Sequence, residues 1–120
     1  MKVTLSREFD FGAAQALTIF PEGHKCRALH GHTFTVRISA TGEVNPQTGL
    51  FYDHAIIAQE ARPVIDLLDH KYLNEIPGLE NPTVENLCRW IWVKLEKKLP
   101  GLSEITIYET PRAWCTYRGE

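Results

Sequence analysis

The sequence predicts an α+β fold in one domain, residues 1–120, with strands toward both ends of the chain and two helices between them. Two patterns predict this class. Segments near both ends alternate apolar and polar side chains, as half-buried strands do, whereas two central segments repeat apolar side chains at helical spacing. A length of 120 residues with 43% hydrophobic side chains suffices for one buried core, and nothing indicates a second domain.

The first half of the chain is predicted to form strands. Residues 3–9 alternate apolar and polar side chains, and residues 33–42 are rich in the side chains that strands favour. Residues 45–49 contain proline and glycine and predict a turn, after which residues 50–52 resume an extended run.

Two helices are predicted next. Residues 55–68 carry apolar side chains at helical spacing, although Pro63 lacks a backbone donor and predicts a kink or an interruption. The second helix begins after Thr83, a suitable N-cap, and runs to about Leu99, where a Pro-Gly pair ends it. Its predicted buried face comprises Val84, Leu87, Cys88, Ile91 and Leu95.

The last predicted strand carries a carboxylate in an apolar row. Over residues 105–110 the period of two places Ile105, Ile107 and Glu109 on one face. If that face is buried, Glu109 needs partners, either a cation or a ligand with adjacent N–H donors such as an amino-pyrimidinone edge. The alternative is that Glu109 lies at a solvent-exposed strand end.

A cysteine precedes a His-Gly-His motif in the segment between the first two strands. His30 and His32 are two residues apart, so on a strand both imidazoles face the same side and can bind one metal ion. Lys25 and Arg27 flank Cys26, and neighbouring cations favour the reactive thiolate. The alternative is a solvated loop with two unrelated histidines.

A second titratable pair follows the first predicted helix. Asp69 and His70 place a carboxylate beside an imidazole, an arrangement that can relay protons to a group such as Cys26. The alternative is an ordinary polar helix end.

Charge and cysteine usage exclude several classes of protein. The formal net charge of -2 argues against nucleic-acid binding and anionic-membrane binding, which need a basic surplus. The first twenty residues lack a signal-peptide pattern, and no apolar run is long enough to cross a membrane. Three cysteines fit free thiols in a reducing compartment, which predicts a cytoplasmic protein. Cys88 is predicted to lie in the core, and the sequence predicts no role for Cys115.

Taken in order, several motifs resemble those of the 6-pyruvoyl-tetrahydropterin synthase family, and most closely its bacterial 6-carboxytetrahydropterin synthases of queuosine biosynthesis. The resemblance spans essentially the whole chain. It rests on Phe-Asp-Phe-Gly-Ala-Ala (residues 9–14), Pro-Glu-Gly-His-Lys-Cys (21–26), Leu-His-Gly-His (29–32), Leu-Asp-His (68–70), Leu-Asn-Glu-Ile-Pro-Gly-Leu-Glu-Asn-Pro-Thr (73–83), Glu-Thr (109–110) and Tyr-Arg-Gly-Glu (117–120).

This resemblance implies a fold, an assembly and a reaction. The fold is the tunnelling fold, a four-stranded antiparallel sheet with two helices on one face. Three subunits close a barrel, and the protein is a homo-trimer or a homo-hexamer of two stacked trimers. The reaction is a lyase conversion of 7,8-dihydroneopterin triphosphate to 6-carboxy-5,6,7,8-tetrahydropterin, with loss of acetaldehyde and triphosphate. The implied partner is thus a small pterin triphosphate.

The resemblance also assigns roles to residues of this chain. Cys26, Asp69 and His70 are the implied catalytic groups, and the implied cofactor is Zn²⁺ bound by His30 and His32. The implied substrate-binding residues are Glu109, which anchors the pterin, Thr110, Lys25 and Arg27.

One departure from the family pattern bears on the metal. Gln15 stands where the family carries a third zinc-binding histidine, and an amide oxygen is a poorer zinc ligand than imidazole. His24 and His54 are the spare imidazoles. The departure leaves two alternatives to the lyase open: a 6-pyruvoyl-tetrahydropterin synthase-like paralogue with altered chemistry, and a zinc-depleted pterin-binding protein.

Overall fold

A computed structural model describes residues 1–120 and shows strands at both ends of the chain with two helices between them. The strands are β1 Lys2–Gln15, β2 His30–Glu43, β3 Lys71–Tyr72, β4 Leu102–Thr110 and β5 Ala113–Tyr117, and the helices are α1 His54–Asp66 and α2 Val84–Leu95. A short 3-10 helix, Leu73–Glu75, follows β3. Neither α1 nor α2 has the length and apolar character that crossing a bilayer requires.

The five strands form one sheet in the order β3-β1-β2-β4-β5. Strands β1, β2, β4 and β5 pair antiparallel, which confirms the predicted antiparallel sheet and the α+β class. The sheet has five strands rather than the four expected, because β3 adds a two-residue parallel pairing with Ala13 and Ala14 of β1. A two-residue strand carries no alternating pattern, so the sequence did not reveal it.

Two predicted strand boundaries were wrong. Strand β1 continues beyond residues 3–9 as far as Gln15, and β2 begins at His30 rather than at residue 33. The added residues pair with one another, and several are glycine or alanine, which give little pattern. Residues 50–52 do not form a strand, because Leu50 makes only an isolated bridge to Asn45.

Both helices form where the spacing predicted them. Asp53 caps α1 by accepting a hydrogen bond from the Ala55 N–H, and α1 continues through Pro63 to Asp66 without the predicted interruption. Pro63 is exposed, so its ring faces solvent on the outer side of the helix. Helix α2 ends at Leu95, four residues earlier than predicted, and continues as turns.

A single apolar core lies between the helices and one face of the sheet. It comprises 20 buried residues, of which 16 belong to the two helices and to β1, β2 and β4, and the other four are Leu68, Leu73, Leu79 and Leu99. Cys88 is fully buried in it, as predicted, and burial raises the pKa of its thiol. At one end of the sheet the core closes with Phe11 stacked on Phe34, ring centroids 5.0 Å apart. Beyond this pair the same face becomes polar.

The cap of α2 gives a direct test of the local structure. Thr83 Oγ1 accepts a hydrogen bond from the Asn86 N–H at 3.2 Å. We expect Thr83→Ala to lower the free energy of unfolding by about 1 kcal/mol, because an N-terminal donor of the helix loses its acceptor. Urea denaturation measures the change. Thr83→Ser keeps the oxygen and serves as the control; a loss equal to that of Thr83→Ala would contradict the capping role.

Candidate active site

The polar end of the sheet face brings together residues from β1 and β2. Strand pairing sets Gln15 opposite His30 and Ala13 opposite His32, so the two histidines and the glutamine share the face that carries the core. The His30 and His32 rings lie edge to face with centroids 5.0 Å apart. The predicted placement of both imidazoles on one side is confirmed by this geometry.

Strand β4 adds the carboxylate. Ile105 and Ile107 are fully buried, and Glu109 continues their row as the spacing predicted. Its Oε1 lies 3.6 Å from His32 Nε2 and 3.4 Å from Gln15 Nε2. The side chain is 31% exposed, so it is partly enclosed rather than at an open strand end.

An irregularity in the sheet accompanies this carboxylate. The register between β4 and β5 shifts between Tyr108 and Thr110, so Glu109 sits where the regular pairing is broken. Such bulges bend a strand and redirect a side chain, and they are frequent next to functional sites. The break is a property of the pairing of two strands, which a period-two pattern in one strand cannot show.

Gln15 is buried to 1% exposure, yet its amide is poorly satisfied. Its Nε2 makes two long contacts of 3.4 Å, to His30 Nε2 and Glu109 Oε1, and its Oε1 has no hydrogen-bond partner. An orphaned buried acceptor costs about 1–3 kcal/mol of stability. The Gln15 amide, which contacts His30 and Glu109 through its nitrogen, therefore has one buried oxygen without a partner.

The hydrogen bonding of His30 and the burial of His32 favour the forms of the two imidazoles that can bind a metal ion. His30 Nδ1 lies 2.8 Å from the Ala28 carbonyl oxygen, so Nδ1 carries the hydrogen and Nε2 faces the cluster with its lone pair. Backbone carbonyls commonly orient metal-binding histidines in this way. Burial lowers the pKa of His32, although the nearby Glu109 carboxylate opposes that shift. A neutral imidazole is the metal-binding form.

These residues fit a divalent metal ion only if the amide takes part. No three His, Cys, Asp or Glu side chains are arranged as a metal cage. A half-turn of the Gln15 amide places its oxygen where its nitrogen now lies, 3.4 Å from His30 Nε2. Ligand atoms around a tetrahedral zinc with bonds of about 2.1 Å are about 3.4 Å apart. The separation of the Gln15 amide from His30 Nε2 therefore suits two ligand atoms of one zinc ion.

A depression of about 450 Å³ joins this cluster to the cysteine loop. Its lining comprises Lys25, Cys26, His30, Gly31, His32, Glu109 and Thr110. The thiol, the two imidazoles and the carboxylate that the sequence singled out therefore face one common space. Such a concave site with converging polar groups is typical of small-molecule binding.

Two basic or titratable loop residues lie outside this depression. The Arg27 guanidinium donates hydrogen bonds to the carbonyls of Thr18 and Phe20, at 2.7 and 2.8 Å, so it braces the loop. His24 Nδ1 accepts from the Cys26 N–H at 3.0 Å. Neither His24 nor His54, the predicted spare metal ligands, joins the cluster. His54 begins α1, and its backbone carbonyl contacts Arg7, eight residues before Gln15 in β1.

Asp69 and His70 lie at the β1 edge of the sheet and do not line the depression of their own chain. Asp69 Oδ1 accepts from the Gly12 N–H at 3.0 Å, and its Oδ2 lies 3.1 Å from His70 Nδ1. The Gly12 N–H and the adjacent His70 lower the pKa of the Asp69 carboxyl. His70 has a left-handed backbone, φ 60, and its side chain is 87% exposed.

Comparison with known proteins decides the family. A family model described as 6-pyruvoyl tetrahydropterin synthase matches residues 4–120. The chain belongs to this family. The family resemblance seen in the sequence is thus confirmed. As a member of this family, the protein is a pterin-synthase-type lyase.

Relatives of this family member carry more than one name. The 6-carboxy-5,6,7,8-tetrahydropterin synthase of Synechocystis sp. is 39% identical over 117 residues, covering 92% of this chain and 89% of that protein. The dihydroneopterin monophosphate aldolase of Pyrococcus furiosus is 33% identical, covering 91% of each. The structure of Caenorhabditis elegans 6-pyruvoyl tetrahydropterin synthase superposes with a TM-score of 0.90 at 29% identity, covering 100% of this chain and 97% of that one.

The orphaned amide predicts an unusual stability change. Replacing Gln15 by Met keeps the length of the side chain and removes the buried oxygen that has no partner. We expect the free energy of unfolding to rise by about 1 kcal/mol, because functional sites commonly trade stability for unsatisfied polar groups. Urea denaturation measures the change, with the exposed Gln47→Met as control. A clear loss of stability in Gln15→Met would show that the two long amide contacts outweigh the orphaned oxygen.

Proposed function

We propose that the protein converts 7,8-dihydroneopterin triphosphate and water to 6-carboxy-5,6,7,8-tetrahydropterin, acetaldehyde and triphosphate, in queuosine biosynthesis. The observation that carries this proposal is the common depression lined by Cys26, His30, His32 and Glu109. The 39% identity to a protein named for this product supports the choice of reaction within the family. Three unpaired cysteines agree with a cytoplasmic enzyme.

Some residues of the depression bind the substrate, and one transfers a proton. Glu109 accepts hydrogen bonds from the amino and ring N–H groups of the pterin, because its carboxylate has two acceptor oxygens with several lone pairs. Thr110, next in the chain, offers a hydroxyl, and the Lys25 ammonium pairs with the phosphates. Arg27 supports this binding indirectly by bracing the loop. Cys26 then moves a proton at the substrate side chain.

We propose Zn²⁺ as the cofactor, held by His30, His32 and the Gln15 amide oxygen. The lone pair of His30 Nε2, and its 3.4 Å separation from the amide position that a half-turn of Gln15 gives to oxygen, support this assignment. When bound, zinc supplies Lewis-acid stabilisation of charge on substrate oxygens. Glu109 stays available for the pterin, since its carboxylate has a second oxygen beyond the contact with Gln15.

We propose that a second copy of the chain completes the site. His70 is 87% exposed at the β1 edge and does not line the depression of its own chain, so it is free to reach a neighbour's Cys26. Strand β3 covers only Ala13 and Ala14, which leaves most of the β1 edge unpaired. Joining such edges in a ring satisfies their backbone groups. A homo-trimer, or two stacked trimers, follows from this arrangement.

Product analysis tests the proposed reaction. Incubating the protein with dihydroneopterin triphosphate should give 6-carboxytetrahydropterin and acetaldehyde by chromatography and mass spectrometry. Cys26→Ala should slow turnover about 10²–10⁴-fold, because one proton-transfer group usually contributes that much to the rate, while pterin binding persists. Cys115→Ala is the matched control, because Cys115 lines no part of the depression. Turnover at the parent rate in Cys26→Ala would reject the thiol, and a different product would assign altered chemistry to this family member.

Zinc retention tests the cofactor. We expect zinc to dissociate under mild chelator dialysis in the parent and to remain in Gln15→His, because imidazole is a stronger zinc ligand than an amide oxygen. Metal analysis after dialysis measures the stoichiometry of both proteins side by side, with His54→Gln as a control for histidine number. Full retention in the parent, with no gain in Gln15→His, would show that another group supplies the third ligand.

A further inference from the structure

We propose that His24 is a positioning residue that fixes Cys26 through a hydrogen bond to its backbone. This inference rests on the proposed role of the Cys26 thiol. It gives a function to a histidine that lies outside the metal cluster and outside the lining of the thiol's own depression.

The His24 ring is held from two sides. Its Nδ1 accepts a hydrogen bond from the Cys26 N–H at 3.0 Å, so the ring hydrogen of the neutral imidazole lies on Nε2. Its face stacks on Phe20, with ring centroids 4.2 Å apart and planes inclined by 8°. Gly23, at φ +87, supplies the left-handed turn that brings His24 back over Phe20.

The rest of the loop leaves Cys26 little freedom. Its carbonyl accepts from the Leu17 N–H at 2.8 Å, so both backbone groups of the cysteine are bonded. The Arg27 guanidinium closes the same loop onto the carbonyls of Thr18 and Phe20. The thiol is the one polar group of Cys26 left for chemistry. A reacting group needs placement of this kind, since displacement by about 1 Å can cost about 100-fold in rate.

Two substitutions separate the hydrogen bond from the ring. His24→Phe keeps an aromatic ring against Phe20 and removes the acceptor, whereas His24→Asn keeps an acceptor oxygen and removes the ring. His54→Phe is the matched control, because His54 is exposed and lies at the start of α1. The primary readout is the rate at which iodoacetamide alkylates Cys26, resolved from Cys88 and Cys115 by peptide mass spectrometry.

We expect alkylation of Cys26 to be about fivefold faster in His24→Phe. The half-buried Cys26 loses one backbone hydrogen bond in this variant, and a loss of that size accounts for about such a change. His24→Asn should stay close to the parent, as should His54→Phe. In turnover, His24→Phe should lower kcat about tenfold with KM nearly unchanged, and His24→Asn should recover most of kcat. An alkylation rate in His24→Phe that is unchanged or slower, or a His24→Asn variant that behaves like His24→Phe, overturns the proposal.

A backbone pair provides an independent test should His24→Phe fold poorly. Gly23 and Gly49 both have left-handed φ angles, +87 and +76, and neither has an atom near the position of an added Cβ. Alanine at either site therefore introduces backbone strain alone. Gly23→Ala should accelerate Cys26 alkylation and Gly49→Ala should not; equal rates overturn the proposal. Alkylation needs no substrate, so a parent without lyase activity would reject the proposed function and leave this test intact.

Discussion

The uninterrupted antiparallel pairing of β1 with β2 determines where every other feature of the molecule lies. It runs from Lys2 opposite Glu43 to Gln15 opposite His30. Because side chains alternate along a strand, a slip of β2 by one residue would turn Phe34 out of the core and the histidines away from the site. The packing of two large rings at the core boundary thus fixes the register of the polar cluster beyond it.

The sequence predicted the elements that rest on local pattern. Alternation and helical spacing located the main strands, both helices and the Thr83 cap, and placed Glu109 in line with buried isoleucines. The His-x-His spacing located two groups of the site for the same reason. Each of these inferences uses one segment, and each segment carries its own period.

The remainder depended on contacts between distant segments. The burial of Gln15, its long contact with Glu109, and the broken register at Glu109 all arise from pairing across strands. The division of the titratable residues between one face of the sheet and its β1 edge is likewise a result of topology, since nothing in the Asp69-His70 pair indicates on which side of β1 it lies. Boundaries failed where glycine and alanine replace patterned side chains, as in residues 12–16.

The sharp change from core to site along one sheet face has an evolutionary consequence. The last large apolar pair on this face is Phe11 and Phe34, and the polar cluster begins at the next alternate position, where His32 lies opposite Ala13. Substitutions at Gln15 or in the cysteine loop can therefore change the polar cluster while the large side chains of the apolar core stay intact. Relatives of similar length bear the names of a carboxytetrahydropterin synthase and of an aldolase. In a scaffold divided in this way, a new reaction can evolve with little loss of folding stability.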